Sequence, residues 1–429
     1  MTLTPFSVAL IALICLAGIV DQWTDQGAAW WRLAAIGLVL ALGYEWLQAR
    51  ATELLVSSNG PHTLYLGRDE QLPIRFHNAS SRALKMTYAP TLPPELNTNT
   101  DQRTISITAG STREEKLALL PEELGQYHWP TVPARTKGVL GLAWWPRHLE
   151  LDATFDVGPD MAGSRRRAIG EVSAGQRAKQ LGTGMDLHHL REYVPGDPLH
   201  SIDWKASARS KQLVTRIYND DQHLEIMLVL DLGRTSRTYL DGMSQFSHYV
   251  NLCARFAEIA AAQGDSIGLV AMSDKPLVAI APRPGTTAVT SIRHAISQLH
   301  PSVAETDLMQ AGIQVQALLK RRSLIVLLTD FYGQALDGSL GQSLRLWQSR
   351  HQTVLVGLLG SDVQRIQSQV ANKATDAFST MAALEYRMNL DTNASAARRM
   401  GAHTVVARPI ELQARVLEEY HLLKSQRRV

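Results

Sequence analysis

Two long apolar runs at the N terminus constrain the fold of this chain most strongly. The first extends from Leu3 to Val20 without a charged residue, and the second covers residues 28–47 with aromatic residues at both of its ends. Each approaches the roughly 20 residues that a helix needs to cross a bilayer, and aromatic side chains favour the two membrane interfaces. We therefore expect an N-terminal transmembrane helical hairpin over residues 1–50.

A cleaved signal peptide and a soluble helical hairpin are the alternatives to this prediction. Residues 1–5 contain no basic residue, whereas a signal peptide normally begins with some. Neither run has the polar stripe of a soluble helix. Asp21 and Asp25 lie between the runs and Arg50 follows them, so the positive-inside rule predicts a two-pass protein of the cell membrane with its soluble domains in the cytoplasm.

Length and charge limit the remaining possibilities. A chain of 429 residues is too long for one compact core, which predicts a multi-domain protein. The 43 basic residues nearly balance the 40 acidic ones, so charge gives no support for nucleic-acid binding. The two cysteines, Cys15 and Cys253, are too few for a disulfide framework.

Residues 51–160 alternate apolar and polar positions in short runs separated by turn residues. This pattern is typical of a β-sandwich-like domain. Residues 161–223 then form a linker and a distinctive segment. The basic run Arg165–Arg167 in the linker is either solvated, which we favour, or in contact with anionic lipid headgroups.

Residues 224–429 alternate apolar strand patterns with helical patterns, which predicts an α/β domain with a doubly wound, mostly parallel sheet. Two continuous apolar runs, LEIMLVLD and SLIVLLTD, end in Asp231 and Asp330. Such runs are typical of strands buried on both faces. Ligands of these sheets bind at the carboxyl ends of the strands.

Four residues at this edge could hold a metal ion, namely Asp231, Thr235, Thr306 and Asp330. Carboxylate and hydroxyl oxygens are hard ligands that suit a magnesium ion. The alternative is structural: Asp231 and Asp330 cap helix N termini, pair with nearby arginines or bind water.

The arrangement resembles the von Willebrand factor A domain, whose metal-ion-dependent adhesion site has a D-x-S-x-S run with a distant Thr and a distant Asp. Here the run is DLGRT, from Asp231 to Thr235. The resemblance implies a Mg2+ cofactor, but Gly233 supplies no hydroxyl, so one ligand of the motif is missing. Arg234 and Arg237 also place positive charge beside the site.

A longer string, LREYVPGDPLHSIDWKASARSKQLVTRIY, extends from Leu190 to Tyr218 and resembles the signature of the family called domain of unknown function fifty-eight. Together with the closing VLEEYHLLKSQRRV, it is similar to these membrane-anchored proteins, in which a von Willebrand factor A-like domain follows a membrane hairpin and a β-rich segment. His200 stands where these proteins more usually have an arginine. The resemblance implies a MoxR-type AAA+ ATPase as the partner.

We name residues 190–218 the signature segment. We expect its charges to fix it in place, with Asp203 paired to Lys205 or Arg209 and Trp204 buried against the sheet. The alternative is a polar cluster of Arg191, Glu192, Asp197 and Asp203 that locks the segment across the domain and shapes a surface for a partner. The residues assigned to it are Arg191, Glu192, Tyr193, Pro195, Gly196, Asp197, Asp203, Trp204, Lys205 and Arg209.

Three functions remain open. The leading hypothesis is a membrane-tethered protein-interaction adaptor that presents the Asp231–Asp330 edge to an acidic or metal-completing side chain and acts with the ATPase in assembling or remodelling other proteins. The second is a metal-dependent hydrolase that uses Asp231 and Asp330. The third is a structural envelope protein with an inert A-like domain. The chain contains no phosphate-binding loop, zinc-protease motif or nucleophile elbow, so we expect no enzymatic activity.

Overall fold

The computed structural model describes residues 1–429 except 25–29, 61–62, 97–100, 161–180, 183–185, 196, 211, 220–222, 333–335, 337, 369–372 and 427–429. The chain divides into two compact units, Met1–Gly158 and Pro159–Val429. The expectation of a multi-domain protein with several sheets is therefore confirmed. The basic run Arg165–Arg167 and the turn residue Gly196 lie outside the described residues.

The first unit begins with a short strand and two helices: β1 (Thr2–Leu3), α1 (Pro5–Thr24) and α2 (Trp30–Ala51). Of the helices in the described part of the chain, one, Pro5–Trp23, is long and apolar enough to cross a membrane by length and composition. The second helix contains Arg32, Glu45 and Arg50.

Both helices are attached at one end to the same β-hairpin. Glu45, near the end of α2, is fully buried and accepts hydrogen bonds from the backbone N–H groups of Leu142 and Ala143, both at 3.1 Å. Thr4, just before α1, donates its hydroxyl to the carbonyl of Leu142 at 3.1 Å. A buried carboxylate needs such donors, so these bonds determine where α2 meets the β-rich part of the unit.

The rest of the first unit consists of strands that pair in two sheets, ordered β1-β9-β8-β5-β6 and β2-β4-β7, with β3 parallel to β9. Phe76 of the smaller sheet packs on Tyr88 of the larger one, with ring centroids 4.8 Å apart. The strands are β2 (Leu54–Ser58), β3 (Thr63–Tyr65), β4 (Glu70–Asn78), β5 (Leu84–Tyr88), β6 (Arg103–Ile107), β7 (Thr112–Leu119), β8 (Gly125–Lys137) and β9 (Ala143–Gly158).

The second unit starts with a small antiparallel sheet that carries the signature segment. Its strands are β10 (Leu181–Gly182), β11 (Asp186–Glu192) and β12 (Val214–Asn219), in the order β10-β12-β11. The short helix α3 (Trp204–Ser210) lies between β11 and β12 in the chain.

A six-stranded sheet of order β17-β16-β13-β18-β19-β20 forms the centre of this unit. Its strands are parallel except β17, which is antiparallel to β16 at one edge. The strands are β13 (Glu225–Asp231), β16 (Ser266–Met272), β17 (Pro276–Pro284), β18 (Leu324–Leu328), β19 (Gln352–Leu358) and β20 (His403–Ala407); the hairpin strands β14 (Tyr239–Leu240) and β15 (Met243–Ser244) pair separately.

Helices cover both faces of the central sheet, because β13 and β18 are apolar at almost every position and bury both faces. On one face α6, α7 and α9 pack on Met227, Val229 and Leu327. On the other, Phe256 of α4 packs on Tyr420 of α10. The helices are α4 (Gln245–Ala262), α5 (Gly285–Ser297), α6 (Leu308–Leu318), α7 (Ser339–Gln348), α8 (Ser361–Ser368), α9 (Ala374–Arg399) and α10 (Pro409–Ser425).

The closing segment of the sequence forms most of α10, and its side chains bind a buried aspartate beside the central sheet. Asp265, just before β16, is fully buried and accepts hydrogen bonds from the backbone N–H of Leu224 at 2.9 Å, the hydroxyl of Tyr420 at 2.5 Å and the ammonium of Lys424 at 2.7 Å. Burial and the carboxylate of Asp265 both raise the pKa of Tyr420. These contacts attach α10 to the edge of the sheet opposite the strands' carboxyl ends.

Candidate functional site at the carboxyl edge of the sheet

Asp231 lies at the carboxyl end of β13, and only 1% of its surface is exposed. Its Oδ2 accepts a hydrogen bond from the hydroxyl of Thr329 at 2.5 Å. Its Oδ1 accepts one from the backbone N–H of Gly233 at 2.8 Å and another from the hydroxyl of Thr306. Three donors within the protein therefore stabilise this buried carboxylate.

Gly233 is required by the position of Thr306. A Cβ atom at residue 233 would overlap the hydroxyl of Thr306 and would lie 3.0 Å from the Thr306 nitrogen and 3.2 Å from the carbonyl oxygen of Ala304. No positive φ explains the glycine, because its φ is −74°. The adhesion motif has a serine at position 233 and a distant threonine as a further metal ligand. Here the hydroxyl of Thr306 occupies the space that the side chain of that serine would need.

The residues at this edge do not fit the magnesium site that the resemblance implies. Position 233 has no room for the missing hydroxyl, and Thr306 bonds directly to Asp231. No cluster of three or more His, Cys, Asp or Glu suited to a metal ion occurs within the described residues. Magnesium binding is therefore an expectation from the resemblance alone, and we derive no chemistry from it.

Asp330 follows β18 and lies at the rim of the site, half-buried. Its Oδ1 accepts a hydrogen bond from the backbone N–H of Tyr332 at 3.0 Å. Burial raises the pKa of Asp330, and the negative charge of Asp231 raises it further, whereas the bond from Tyr332 lowers it. The negative charge of Asp231 thus disfavours the charged form of Asp330.

Two residues that the sequence did not single out complete the buried part of the site. Thr329 bonds to Asp231, as described, and Tyr249 of α4 donates its hydroxyl to the carbonyl of Thr329 at 3.1 Å. Burial, Asp330 and Asp231 raise the pKa of Tyr249. Thr329 directly precedes Asp330 in the string LLTD and could have been found as a hydroxyl residue next to the predicted ligand. Nothing in the sequence indicates Tyr249.

A short 3-10 turn, Arg234–Arg237, follows Asp231 and carries the exposed part of the site. The hydroxyl of Ser236 donates to the carbonyl of Asp231 at 2.6 Å, and the backbone N–H of Arg234 donates to the carbonyl of Ala304 at 2.9 Å. Arg234 and Arg237 are both exposed, and Thr235 is half-exposed. Within the described residues no hydrogen bond joins the Thr235 side chain or Asp330 to Asp231.

The charges of the signature segment pair with one another. Arg191 donates to Asp197 at 2.7 Å, and Asp197 also accepts the backbone N–H of Val194 at 3.1 Å. These bonds lower the pKa of Asp197, the one from Val194 most strongly. Glu192 ends β11, Tyr193 donates its N–H to the carbonyl of Leu213, and Pro195 begins the turn.

Two expectations about this segment are wrong. Asp203 pairs with Arg216 of β12 at 3.0 Å rather than with Lys205 or Arg209. That arginine, together with the N–H groups at the start of α3, lowers the pKa of Asp203 to about 2. Trp204 is 67% exposed at the start of the seven-residue helix α3, so it is not buried against the sheet.

Comparison with known proteins places the signature segment and most of the α/β part in one family. The model of the protein family of unknown function DUF58 matches residues 189–405. The uncharacterized protein YeaD of Bacillus subtilis is 30% identical over 128 residues, which are 28% of this chain and 31% of that protein. This chain therefore spans about a third of the length of that curated relative.

Two solved structures are similar in part. The conserved hypothetical protein BatB from Bacteroides thetaiotaomicron is 12% identical, with 32% of this chain and 66% of that chain covered and a TM-score of 0.26. A fragment of native alpha-2-macroglobulin from Escherichia coli is 16% identical over 25% of this chain and 17% of that one, with a TM-score of 0.21. Both TM-scores are too low to support a fold assignment. The family match covers more than half of the sequence, so the chain belongs to the family of proteins of unknown function DUF58.

Proposed function

We propose that this protein is a membrane-tethered interaction adaptor that binds an acidic side chain of a partner protein at the carboxyl edge of its central sheet. The observation that carries the proposal is the pair of exposed arginines, Arg234 and Arg237, on the turn attached to Asp231. No ion pair involves either arginine within the described residues, so both guanidinium groups are available to a partner's carboxylate.

The hydrogen bonds around Asp231 hold the turn that carries these arginines in one position. Bonds from Gly233, Ser236 and Thr306 hold the turn on Asp231, so the backbone of the turn loses little conformational entropy when a partner binds. An arginine can bind a carboxylate through two parallel hydrogen bonds. In a metal-ion-dependent adhesion site a cation supplies the positive charge; here we propose that the arginines supply it and that no resident magnesium ion is needed.

The tether is the N-terminal pair of helices. We infer a two-pass hairpin, because α1 and α2 are attached to one β-hairpin at one end and contact each other at the other end, where Trp31 donates to Asp21 at 3.1 Å. The charge pattern of the sequence supports a cytoplasmic location of the soluble domains. Attachment to a membrane raises the local concentration of the adaptor near membrane-bound partners.

The fold and the partner are further parts of the proposal. Asp231 and Asp330 at the carboxyl edge of a sheet covered by helices on both faces support a von Willebrand factor A-like fold. The signature segment and its resemblance to related proteins support a MoxR-type AAA+ ATPase as the partner, with a role in assembling or remodelling other proteins.

A pull-down from detergent-solubilised membranes tests the proposal. Full-length protein, with and without magnesium and ATP, should retain the ATPase, and an Arg234→Glu/Arg237→Glu double variant should retain it about tenfold less, equivalent to about 1.4 kcal/mol. Arg293→Glu on α5 changes another exposed arginine and should have no effect. Recovery of no ATPase by the wild type, or equal retention by all three proteins, would refute the proposal.

The other two functions predict different results. A metal-dependent hydrolase would show magnesium-dependent turnover of phosphoesters that Asp330→Ala abolishes. A structural envelope protein would form its complexes unchanged in the Arg234→Glu/Arg237→Glu variant.

A further inference from the structure

The N-terminal half of α9 exposes a stripe of apolar side chains, which we name the α9 stripe: Ala377, Phe378, Met381, Leu384 and Met388. The exposed fractions of the four large side chains are 73% for Phe378, 70% for Met381, 47% for Leu384 and 68% for Met388. Scattered exposed apolar residues are common, but a contiguous group marks an interaction site. The stripe extends over about 16 Å at 1.5 Å per residue.

The stripe lies on the side of α9 away from its own core. The core-facing residues are Leu390, Ala394 and Ala397, all nearly or fully buried. At 100° per residue, Met381 and Met388 point almost opposite to these positions. The intramolecular packing of α9 therefore leaves the stripe uncovered within the described residues.

The position of α9 brings the stripe to the functional edge. The helix precedes β20, which is parallel to β19, so α9 runs against the strands and starts near their carboxyl ends. Tyr386 packs on Tyr332 with ring centroids 4.3 Å apart, and Asn393 donates to the carbonyl of Phe331 at 2.7 Å. Both contacts attach α9 to the loop that follows Asp330.

The spacing of the stripe indicates the kind of partner. Ala377, Met381, Leu384 and Met388 follow each other at intervals of four, three and four residues, the pattern of a helix that packs lengthwise against another helix. Methionine side chains adapt readily to a partner surface. An interfacial membrane helix would instead carry several lysines and arginines beside its apolar face, whereas residues 377–388 contain one acidic residue, Glu385, and one basic residue, Arg387.

The charges beside the α9 stripe favour another protein, rather than a second copy of this chain, as the partner. Glu385 makes no ion pair within the described residues, so a partner with a lysine or arginine at the facing position would complement it. The neighbouring cation, Arg387, already donates to Gln367 at 3.3 Å and lies 3.8 Å from Asp391. In a second copy, Arg387 would have to give up these contacts to pair with Glu385, whereas a basic residue of another protein would not.

We propose that the α9 stripe docks an amphipathic helix of another protein, whose apolar residues recur every three and four positions and whose flank carries a basic residue opposite Glu385. This inference rests on the proposed adaptor function and adds a second contact beside the arginines of the Asp231 turn.

Site-specific photocrosslinking of the full-length protein in its native membrane tests the inference. A benzophenone amino acid at Met381 should form an adduct with a helix of another protein, and sequencing of the crosslinked peptide should reveal the apolar repeat and the basic flank. The matched control is Ile313 on α6, an apolar residue that is 50% exposed and should give no such adduct. Leu384→Asp and Glu385→Lys should each reduce the Met381 adduct about tenfold, whereas Ile313→Asp should not.

Several outcomes would overturn the inference: adducts with lipid alone, adducts with a second copy of the chain, equal yields at Ile313, or no adduct at Met381 and Met388. Exposed side chains contribute little to stability, so unchanged thermal unfolding of Leu384→Asp would show that the variant is folded. If the pull-down recovers the partner equally with wild type and Leu384→Asp, the adaptor function stands and the role of the stripe fails. If wild type recovers no partner, the adaptor function itself fails.

Discussion

The relation between Gly233 and Thr306 gives the sharpest test of the site. In Gly233→Ala the new methyl group must displace the hydroxyl of Thr306, which breaks its bond to the buried Asp231. Loss of a hydrogen bond to a charged group costs about 1.5–3 kcal/mol, and overpacking costs about 1–3 kcal/mol more. We expect a loss of about 3 kcal/mol, although glycine-to-alanine changes at ordinary φ values normally stabilise proteins by about 0.4–1 kcal/mol.

A double-mutant cycle separates this mechanism from a general effect on folding. Thr306→Ala alone removes the same hydrogen bond and should cost about 2 kcal/mol. In that background the methyl group at 233 meets only the backbone atoms at 3.0 and 3.2 Å, a tight contact that should cost about 1 kcal/mol or less. The double variant should therefore be about 2 kcal/mol more stable than the sum of the single losses predicts.

Scanning calorimetry of the full-length protein in detergent measures these differences. A loss of about 3 kcal/mol lowers the melting temperature of a domain of this size by about 6–12 °C. Additivity of the two substitutions within about 0.5 kcal/mol, or a stabilised Gly233→Ala, would refute the steric argument. Gly233→Ser restores the letters of the adhesion motif but not the space, so magnesium titration should show no binding at millimolar concentrations in either wild type or variant.

Three further predictions follow from single groups. Lys424→Met leaves the carboxylate of Asp265 buried without its cation and should destabilise the second unit by about 3–5 kcal/mol, which calorimetry measures and which also assigns the melting transition of that unit. Asp330 has a raised pKa when folded, so the folded state binds its proton more tightly. Stability should therefore fall as pH rises from about 3.9, the pKa of an unfolded Asp, through the raised folded value, and Asp330→Asn should remove that fall in urea titrations across this window. Trp204→Ala should change stability by less than about 0.5 kcal/mol in the same assay, because the side chain is 67% exposed.

Much of the α/β part could be predicted because its signals are local. The runs that end in Asp231 and Asp330 are apolar at consecutive positions, as is typical of strands buried on both faces. The structure has these runs in neighbouring strands, β13 and β18. The partner of Asp203 could not be predicted in this way. Lys205 and Arg209 are closer in sequence, but they follow Asp203 on α3, whereas Arg216 reaches it from β12.

The candidate site also depends on a contact between residues that are distant in the sequence. From the sequence alone, Gly233 is interpreted as a missing metal ligand. A sequence motif shows which side chains are present, but it does not show how much space surrounds each position. In the structure the loop that contains Ala304 and Thr306 approaches the backbone at residue 233 so closely that a side chain there is excluded. The approach depends on residues about 70 positions apart in the chain, and no local pattern reveals it. The glycine is therefore better explained as a condition for the direct bond between Thr306 and Asp231 than as the loss of a magnesium ligand, and the double-mutant cycle distinguishes these two explanations.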